Sequence, residues 1–407
     1  MSRILIAWEL GTNYGHLARL LPIACRLRER GHAIVLAVRD THAAAELLLP
    51  AGLGFVQAPL PISKSGLSRP AANYPELLLG EEFADSSALA GRVASWRSLM
   101  QLAKADIVLA DHAPTALLAA QISGVPHLAI GNGFTLPPDV SPLPSIRPWE
   151  DIPASRLVAA GTAVDEAISQ VAKRFGYRLP IALRNLFGSQ DLLDTFIELD
   201  HYAERGPINA IGPIFSIEGA RKVEWRETGS RKILAYLRPN VPGFGAMLAA
   251  LREADAETLC VAPGLHPSHA RRLAGPRLRI SLAPLDLSHL LDSAALAITY
   301  GNSGTCAQAL LAGTPLLALP QFVEQYLFGI RLQALGVGVQ LTQDRSQDAC
   351  AQALTALLDD TRYAACARQI GDKYAGHTPK MAVECAVLAI ENCTVLENAQ
   401  YRGALNG

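Results

Sequence analysis

Between Thr299 and Gln325 the chain reads TYGNSGTCAQALLAGTPLLALPQFVEQ. An apolar strand pattern ends at Thr299, a glycine- and serine-rich turn follows over residues 301–304, and a helical pattern begins near Thr305. N–H groups at a helix start have no intrahelical partner and sit at the positive end of the helix dipole, which makes such a turn a seat for a diphosphate. Gly301 and Gly304 allow phosphate oxygens to approach the backbone closely. Tyr300, Asn302, Ser303 and Thr305 complete the candidate diphosphate turn, and Gln308 lies one helical turn further, in reach of a ribose hydroxyl. Glu324 and Gln325 follow the next strand, at the sheet edge where open α/β folds bind ligands. Arg238, in LAYLRPN, stands at another strand's end, where a guanidinium would match diphosphate geometry. An ordinary βα turn with a Ser/Thr cap, and a surface Arg before a Pro turn, read the same way.

A second constellation opens the chain. Gly15 and His16 start a helical pattern directly after a strand and turn. Imidazole titrates near neutrality, so a histidine there can take the proton from an attacking hydroxyl. Asp111 follows the strand pattern IVLA and would emerge on the same sheet edge, where its carboxylate can fix the tautomer of His16 and stabilise the imidazolium. Asp111 also reads as the cap of the helix that starts at Pro114, and His112 is an alternative base. Trp8, Asn13 and Tyr14 crowd the first turn, and Asn132 and Phe134 end a later strand. Together they are candidates for a rim that binds the molecule carrying that hydroxyl, although each alone reads as packing or loop.

These residues need strands and helices to position them. Arg3–Trp8 is a short apolar run of the kind buried parallel strands show, and Ala33–Val38 is the next. Between them Leu17, Leu20, Leu21, Ala24 and Leu27 recur at helical spacing, giving a βαβ unit with a right-handed crossover. Residues 62–96 read as irregular, and residues 134–152 form a proline-rich loop. Residues 206–219 read as a linker, after which strand–helix alternation resumes. At 407 residues two domains are expected.

Composition narrows the classes further. Half of the residues are hydrophobic and the net charge is −1, so no overall field favours nucleic acid. Seven cysteines without CxxC spacing predict reduced thiols in a cytoplasmic protein and no metal site. No apolar run reaches the roughly 18 residues a transmembrane helix requires, which leaves peripheral membrane contact open. The absence of GxGxxG spacing in residues 11–15 disfavours a dehydrogenase.

The segment from Thr299 resembles the nucleotide-sugar signature of the inverting glycosyltransferases that include UDP-glucuronosyltransferases and macrolide and flavonoid glycosyltransferases. Gly301, Gly304, Thr305, Ala309, Leu310, Gly313, Pro315, Pro320 and Gln325 fit that pattern, as does LGVGV at residues 335–339. Tyr300, Gln308 and Glu324 depart from it, standing where the family has His, Glu and Asp. The resemblance implies an α/β protein of the GT-B fold, two facing Rossmann-like domains with parallel sheets and a C-terminal helix crossing back. The expected division is an acceptor-binding domain over residues 1–213, a nucleotide-sugar-binding domain over 214–376 and the returning helix over 377–407. It implies sugar transfer from a UDP- or dTDP-linked donor to a hydroxyl of a small-molecule or lipid-like acceptor, with inversion. His16 would be the base and Asp111 its orienter; no metal and no cofactor beyond the nucleotide sugar is expected. A nucleotide-sugar epimerase on the same fold, and a non-catalytic sugar- or lipid-binding relative, are the alternatives.

Overall fold

The computed structural model describes residues 1–12, 14–62, 67–202, 205–215, 221–226 and 230–404, with side chains to residue 393. The chain forms two compact units, Met1–Ile197 with Tyr202–Ile214 and Thr378–Gly407, and Glu198–His201 with Phe215–His377.

The first unit is built on a seven-stranded sheet of β1 (Arg3–Trp8), β2 (Ala33–Val38), β3 (Phe55–Gln57), β4 (Ile107–Asp111), β5 (His127–Gly131), β6 (Leu192–Leu193) and β7 (Asn209–Ala210). The order is β3-β2-β1-β4-β5-β6-β7, with every pairing parallel. Its helices are α1 (Gly15–Glu29), α2 (Thr41–Leu47), α3 (Tyr74–Leu78), α4 (Ser86–Ala103), α5 (Pro114–Ser123) and α6 (Ala154–Arg174). Successive strand residues point to opposite faces. Leu5, Ala7, Val108 and Ala110 pack with Val93 and Trp96 of α4 and Ile168 of α6. Ile4, Ile6, Trp8 and Leu109 pack on the other face with Leu17, Leu20 and Ile23 of α1.

The second unit has a six-stranded sheet of β8 (Lys232–Tyr236), β9 (Glu257–Val261), β10 (Leu278–Ser281), β11 (Leu296–Thr299), β12 (Leu316–Ala318) and β13 (Gly338–Gln340). The order is β10-β9-β8-β11-β12-β13, again parallel throughout. Helices α7 (Phe244–Glu253), α8 (Pro267–Leu273), α9 (Ser288–Leu291), α10 (Ser303–Leu311), α11 (Val323–Ala334), α12 (Gln347–Asp359) and α13 (Thr361–Lys373) connect and cover its strands. The last helix, α14 (Pro379–Ala404), belongs to the first unit. Its Ala382, Val383, Ala386, Val387 and Ile390 complete the core over α1, and Glu384 and Glu391 pair with Arg26 and Arg30.

Two sequence expectations need correction. Residues 62–96 are not irregular throughout, because α3 and most of α4 fall there. Asp85 starts α4 by accepting from the amides of Ser87 and Ala88 at 2.8 and 3.1 Å, and Leu89, Val93, Trp96 and Met100 supply its buried stripe. The 206–219 stretch is not only a linker, since Asn209 and Ala210 pair with Leu192 and Leu193 as the edge strand β7. Residues 216–219 lie outside the described residues.

Candidate active site

Both sheets reverse strand order beside their first strand, and ligands of open α/β sheets bind at that switch point. In the first unit it lies between β1 and β4, where Trp8 stands opposite Asp111 in register. The chain leaves β1 through Gly11, whose φ of 81° belongs to the left-handed region. A Cβ on Gly11 would come within 2.5 Å of His16 Nε2 and 3.3 Å of His112 Nδ1, so both imidazoles rest on this glycine. The Leu10 amide donates to the His112 carbonyl at 2.9 Å, tying the two loops together.

His16, near the start of α1, places Nδ1 3.0 Å from Asp111 Oδ1. Burial would raise the Asp111 carboxyl, but the charges of Arg19 and His16 outweigh it and hold the group below its ordinary value. An ionised Asp111 accepts from Nδ1–H and leaves Nε2 as the lone-pair nitrogen. Asp111 Oδ2 accepts from Arg19 NH1 at 2.8 Å, and Arg19 Nε donates to Asp194. Burial pushes the Asp194 carboxyl up to about 6 against the pull of Arg19. Arg19 and Asp194 are absent from the sequence reading. The available signal was an arginine three residues after His16, one helical turn along the same face, inside an otherwise apolar stripe.

His112 does not suit the alternative role of base. Burial and the neighbouring His16 push its imidazole down to about 3, which keeps it neutral. Trp8 is fully buried and offers an acceptor no surface; its ring stacks on His16 and its N–H donates to the Leu10 carbonyl. Asn132 and Phe134 are also buried, at 5% and 6% exposure. Tyr14 is exposed and donates its hydroxyl to Glu46 at 2.5 Å. Asn13 lies outside the described residues.

In the second unit the switch point lies between β8 and β11, with Tyr236 opposite Thr299. Gly301 has a φ of 88°, and its amide donates to Thr299 Oγ1 at 2.8 Å. The same hydroxyl donates to Asn302 Oδ1 at 2.8 Å, and Asn302 Nδ2 donates to Thr305 Oγ1 at 2.6 Å. With its side chain held there, Asn302 does not cap α10. The first-turn amides of Ser303, Gly304 and Thr305 therefore carry no side-chain cap, and Ser303 and Gly304 are half-buried. A Cβ on Gly301 would lie 3.2 Å from Gln325 Cβ, which brings the start of α11 beside the turn.

Burial pushes the Tyr300 hydroxyl up to about 12, while a bond and charge from Arg238 act the other way. The Arg238 guanidinium carbon lies 6.0 Å from the Tyr300 ring centroid, and Tyr236 packs beside the same ring at 6.4 Å. Arg238 and Tyr300 are thus brought together at the turn. Gln308 bends its amide toward the Gly304 carbonyl at 3.5 Å, too long for a strong bond. Gln325 is 7% exposed, and its Oε1 accepts from the amides of Gln321 and Phe322. Its oxygen is committed to the start of α11, which leaves the amide NH₂ as its other polar group. Glu324 is half-buried in the first turn of α11. Among the described residues no group of three or more His, Cys, Asp or Glu could hold a metal ion, and no helix is long and apolar enough to cross a membrane.

Residues 245–388 match the family described as erythromycin biosynthesis protein CIII-like, C-terminal domain. Zeaxanthin glucosyltransferase of Pseudescherichia vulneris is 25% identical over 421 residues, covering 93% of this chain and 97% of that protein. Among solved structures, the calicheamicin glycosyltransferase CalG4 superposes with a TM-score of 0.69 at 17% identity, covering 96% of this chain and 98% of its own. Glycosyltransferase VinC, solved in complex with dTDP, gives 0.68 at 16% identity, covering 95% and 99%. The structural likenesses fix the fold as GT-B. With its relatives, the chain is a GT-B glycosyltransferase. It is similar to glycosyltransferases of the macrolide and UDP-glycosyltransferase type, and the epimerase alternative finds no support.

Proposed function

We propose that this enzyme moves a sugar from a nucleoside diphosphate to a hydroxyl of a small-molecule or lipid-like acceptor with inversion at the anomeric carbon. The observation that carries the reading is the His16–Asp111 pair, 3.0 Å apart and held over Gly11 at the switch point of the first sheet. His16 Nε2 takes the hydroxyl proton, and Asp111 stabilises the imidazolium that forms. The acceptor oxygen attacks the anomeric carbon, and the bond to the diphosphate breaks with its electron pair leaving on the phosphate oxygen. The uncapped first turn of α10, Tyr300 and Arg238 receive that charge. Glu324 and the Gln325 amide hold sugar hydroxyls, and Gln308 the ribose. Among the described candidates for the acceptor rim, Tyr14 is the exposed one.

The donor is UDP- or dTDP-linked, a reading supported by the dTDP named for the VinC structure. The zeaxanthin and calicheamicin enzymes support an acceptor that is a small or lipid-like molecule. The helix dipole takes the place of a metal, so turnover needs none. Seven cysteines scattered without CxxC spacing support action in the cytoplasm. The test is a matrix of UDP- and dTDP-sugars against hydroxylated acceptors, with and without EDTA, followed by nucleoside diphosphate release and anomeric NMR of the product. Acceptor-dependent release, inverted product and indifference to EDTA are expected. Retained configuration overturns the displacement mechanism.

A further inference from the structure

A group of buried charges outside the proposed donor turn sits behind the proposed base. Arg19 is 6% exposed, and its guanidinium spans two carboxylates that are themselves buried, Asp111 at 0% and Asp194 at 4%. Asp194 Oδ1 in turn accepts the amide of Ile214. Each carboxylate oxygen of Asp111 thus has one partner, His16 on one side and Arg19 on the other. That fork fixes the plane of the carboxylate and with it the imidazole, since a guanidinium presents its donors in a rigid geometry.

The charges also add up in a useful way. Two carboxylates and one guanidinium leave one net negative charge in the buried trio. When His16 accepts a proton, the imidazolium cancels it. We propose that Arg19 and Asp194 are positioning residues of the transfer reaction, holding Asp111 turned toward His16 and setting the charge that the imidazolium meets. The inference rests on His16 being the base. Charged and titratable neighbours of this cluster include His112 after β4, which feels the charges of Asp111 and Arg19, and Arg39 after β2, which acts on His112. Neither bridges the carboxylates.

Two variants test it. Asp194→Asn keeps shape and removes one negative charge, so the imidazolium forms in a trio that no longer balances it. Arg19→Lys keeps the charge and replaces the fork with a single point donor. The assay measures kcat, both KM values, melting temperature and the pH profile of kcat, with His16→Ala alongside. Both variants are expected to stay folded and to lose at least about tenfold in kcat. The KM values for donor and acceptor should stay within about twofold. In Asp194→Asn the acid limb of the kcat profile moves to lower pH, because a less negative trio favours the neutral imidazole.

Unchanged kcat in either folded variant overturns the inference. So does a loss that tracks melting temperature while the acid limb of Asp194→Asn stays where the wild type has it. Retained turnover in His16→Ala overturns the base assignment instead, whatever Arg19 and Asp194 do.

Discussion

The indole of Trp8 lies beside the imidazole of His16, with ring centroids 5.1 Å apart and planes 23° from parallel. His112 covers the imidazole from its own loop, at 6.3 Å and 27°. The Trp8 N–H is held by the Leu10 carbonyl at 2.8 Å, so the indole cannot swing away without breaking a buried bond. Trp8→Phe keeps an aromatic neighbour and loses that bond. It is expected to lower unfolding free energy by about 1 kcal/mol in urea titrations, with turnover reduced only a few-fold.

His16→Ala removes the group assigned to proton removal. Turnover is expected to fall by about two to four decades, while nucleoside diphosphate binding, read by calorimetry, stays at the wild-type value. A variant with weakened nucleotide binding would instead mean a distorted fold.

Gly11→Ala has two faults. The left-handed φ of 81° strains an alanine, and its methyl would stand 2.5 Å from His16 Nε2. The imidazole has to move, so kcat should fall at least about tenfold, with stability down by about 1 kcal/mol or more.

Arg238→Ala and Tyr300→Phe separate charge from hydrogen bonding at the proposed donor turn. Loss of the guanidinium is expected to cost about 1.5–3 kcal/mol of nucleoside diphosphate affinity, and loss of the neutral hydroxyl about 1 kcal/mol. Isothermal calorimetry reads both. Equal effects would show that Arg238 does not reach the phosphates.

The buried carboxylates make opposite contributions to the pH dependence of stability. Asp194 binds a proton more tightly folded than unfolded, since burial lifts it from 3.8 to about 6. Its protonation therefore stabilises the fold as the pH falls through that interval. Asp111 is lowered by Arg19 and His16 against the burial that would raise it, so its stabilisation is present above its unfolded value of 3.8 and is lost as the pH falls below it. Between pH 7 and 5 the wild type should gain about 1 kcal/mol relative to Asp194→Asn in chemical denaturation.

The parts of this site that were legible in the sequence are those set by short-range chemistry. The turn at residues 301–304, the helix start at His16 and the strand end at Asp111 each follow from an apolar run meeting glycine or a polar group. Trp8 misleads for a related reason. A large aromatic at a strand end reads as rim, yet the alternation that buries Ile4 and Ile6 buries Trp8 on the same face. Arg19 left a local trace in its apolar stripe, but its pairing with Asp194 was beyond reach because the two meet across 175 positions. Gln325 shows the same limit at short range, since its use as a cap depends on how the chain enters α11. Helix α4 was hidden by the Ser and Gly content of its surroundings, although Asp85 and the spacing of Leu89, Val93 and Trp96 were there to be read.

Helix α14 reaches its place on the first unit only after the whole second unit has been threaded through the chain. During synthesis the hydrophobic side of α1 must therefore wait, uncovered, while residues 215–377 emerge. The second unit is one nearly continuous insertion that can close on itself first, whereas the half bearing His16 is sealed last, by Val383, Val387 and Ile390. A ribosome that stalls late would release a nascent chain with the second unit complete and the apolar side of α1 in the first still uncovered and prone to aggregate.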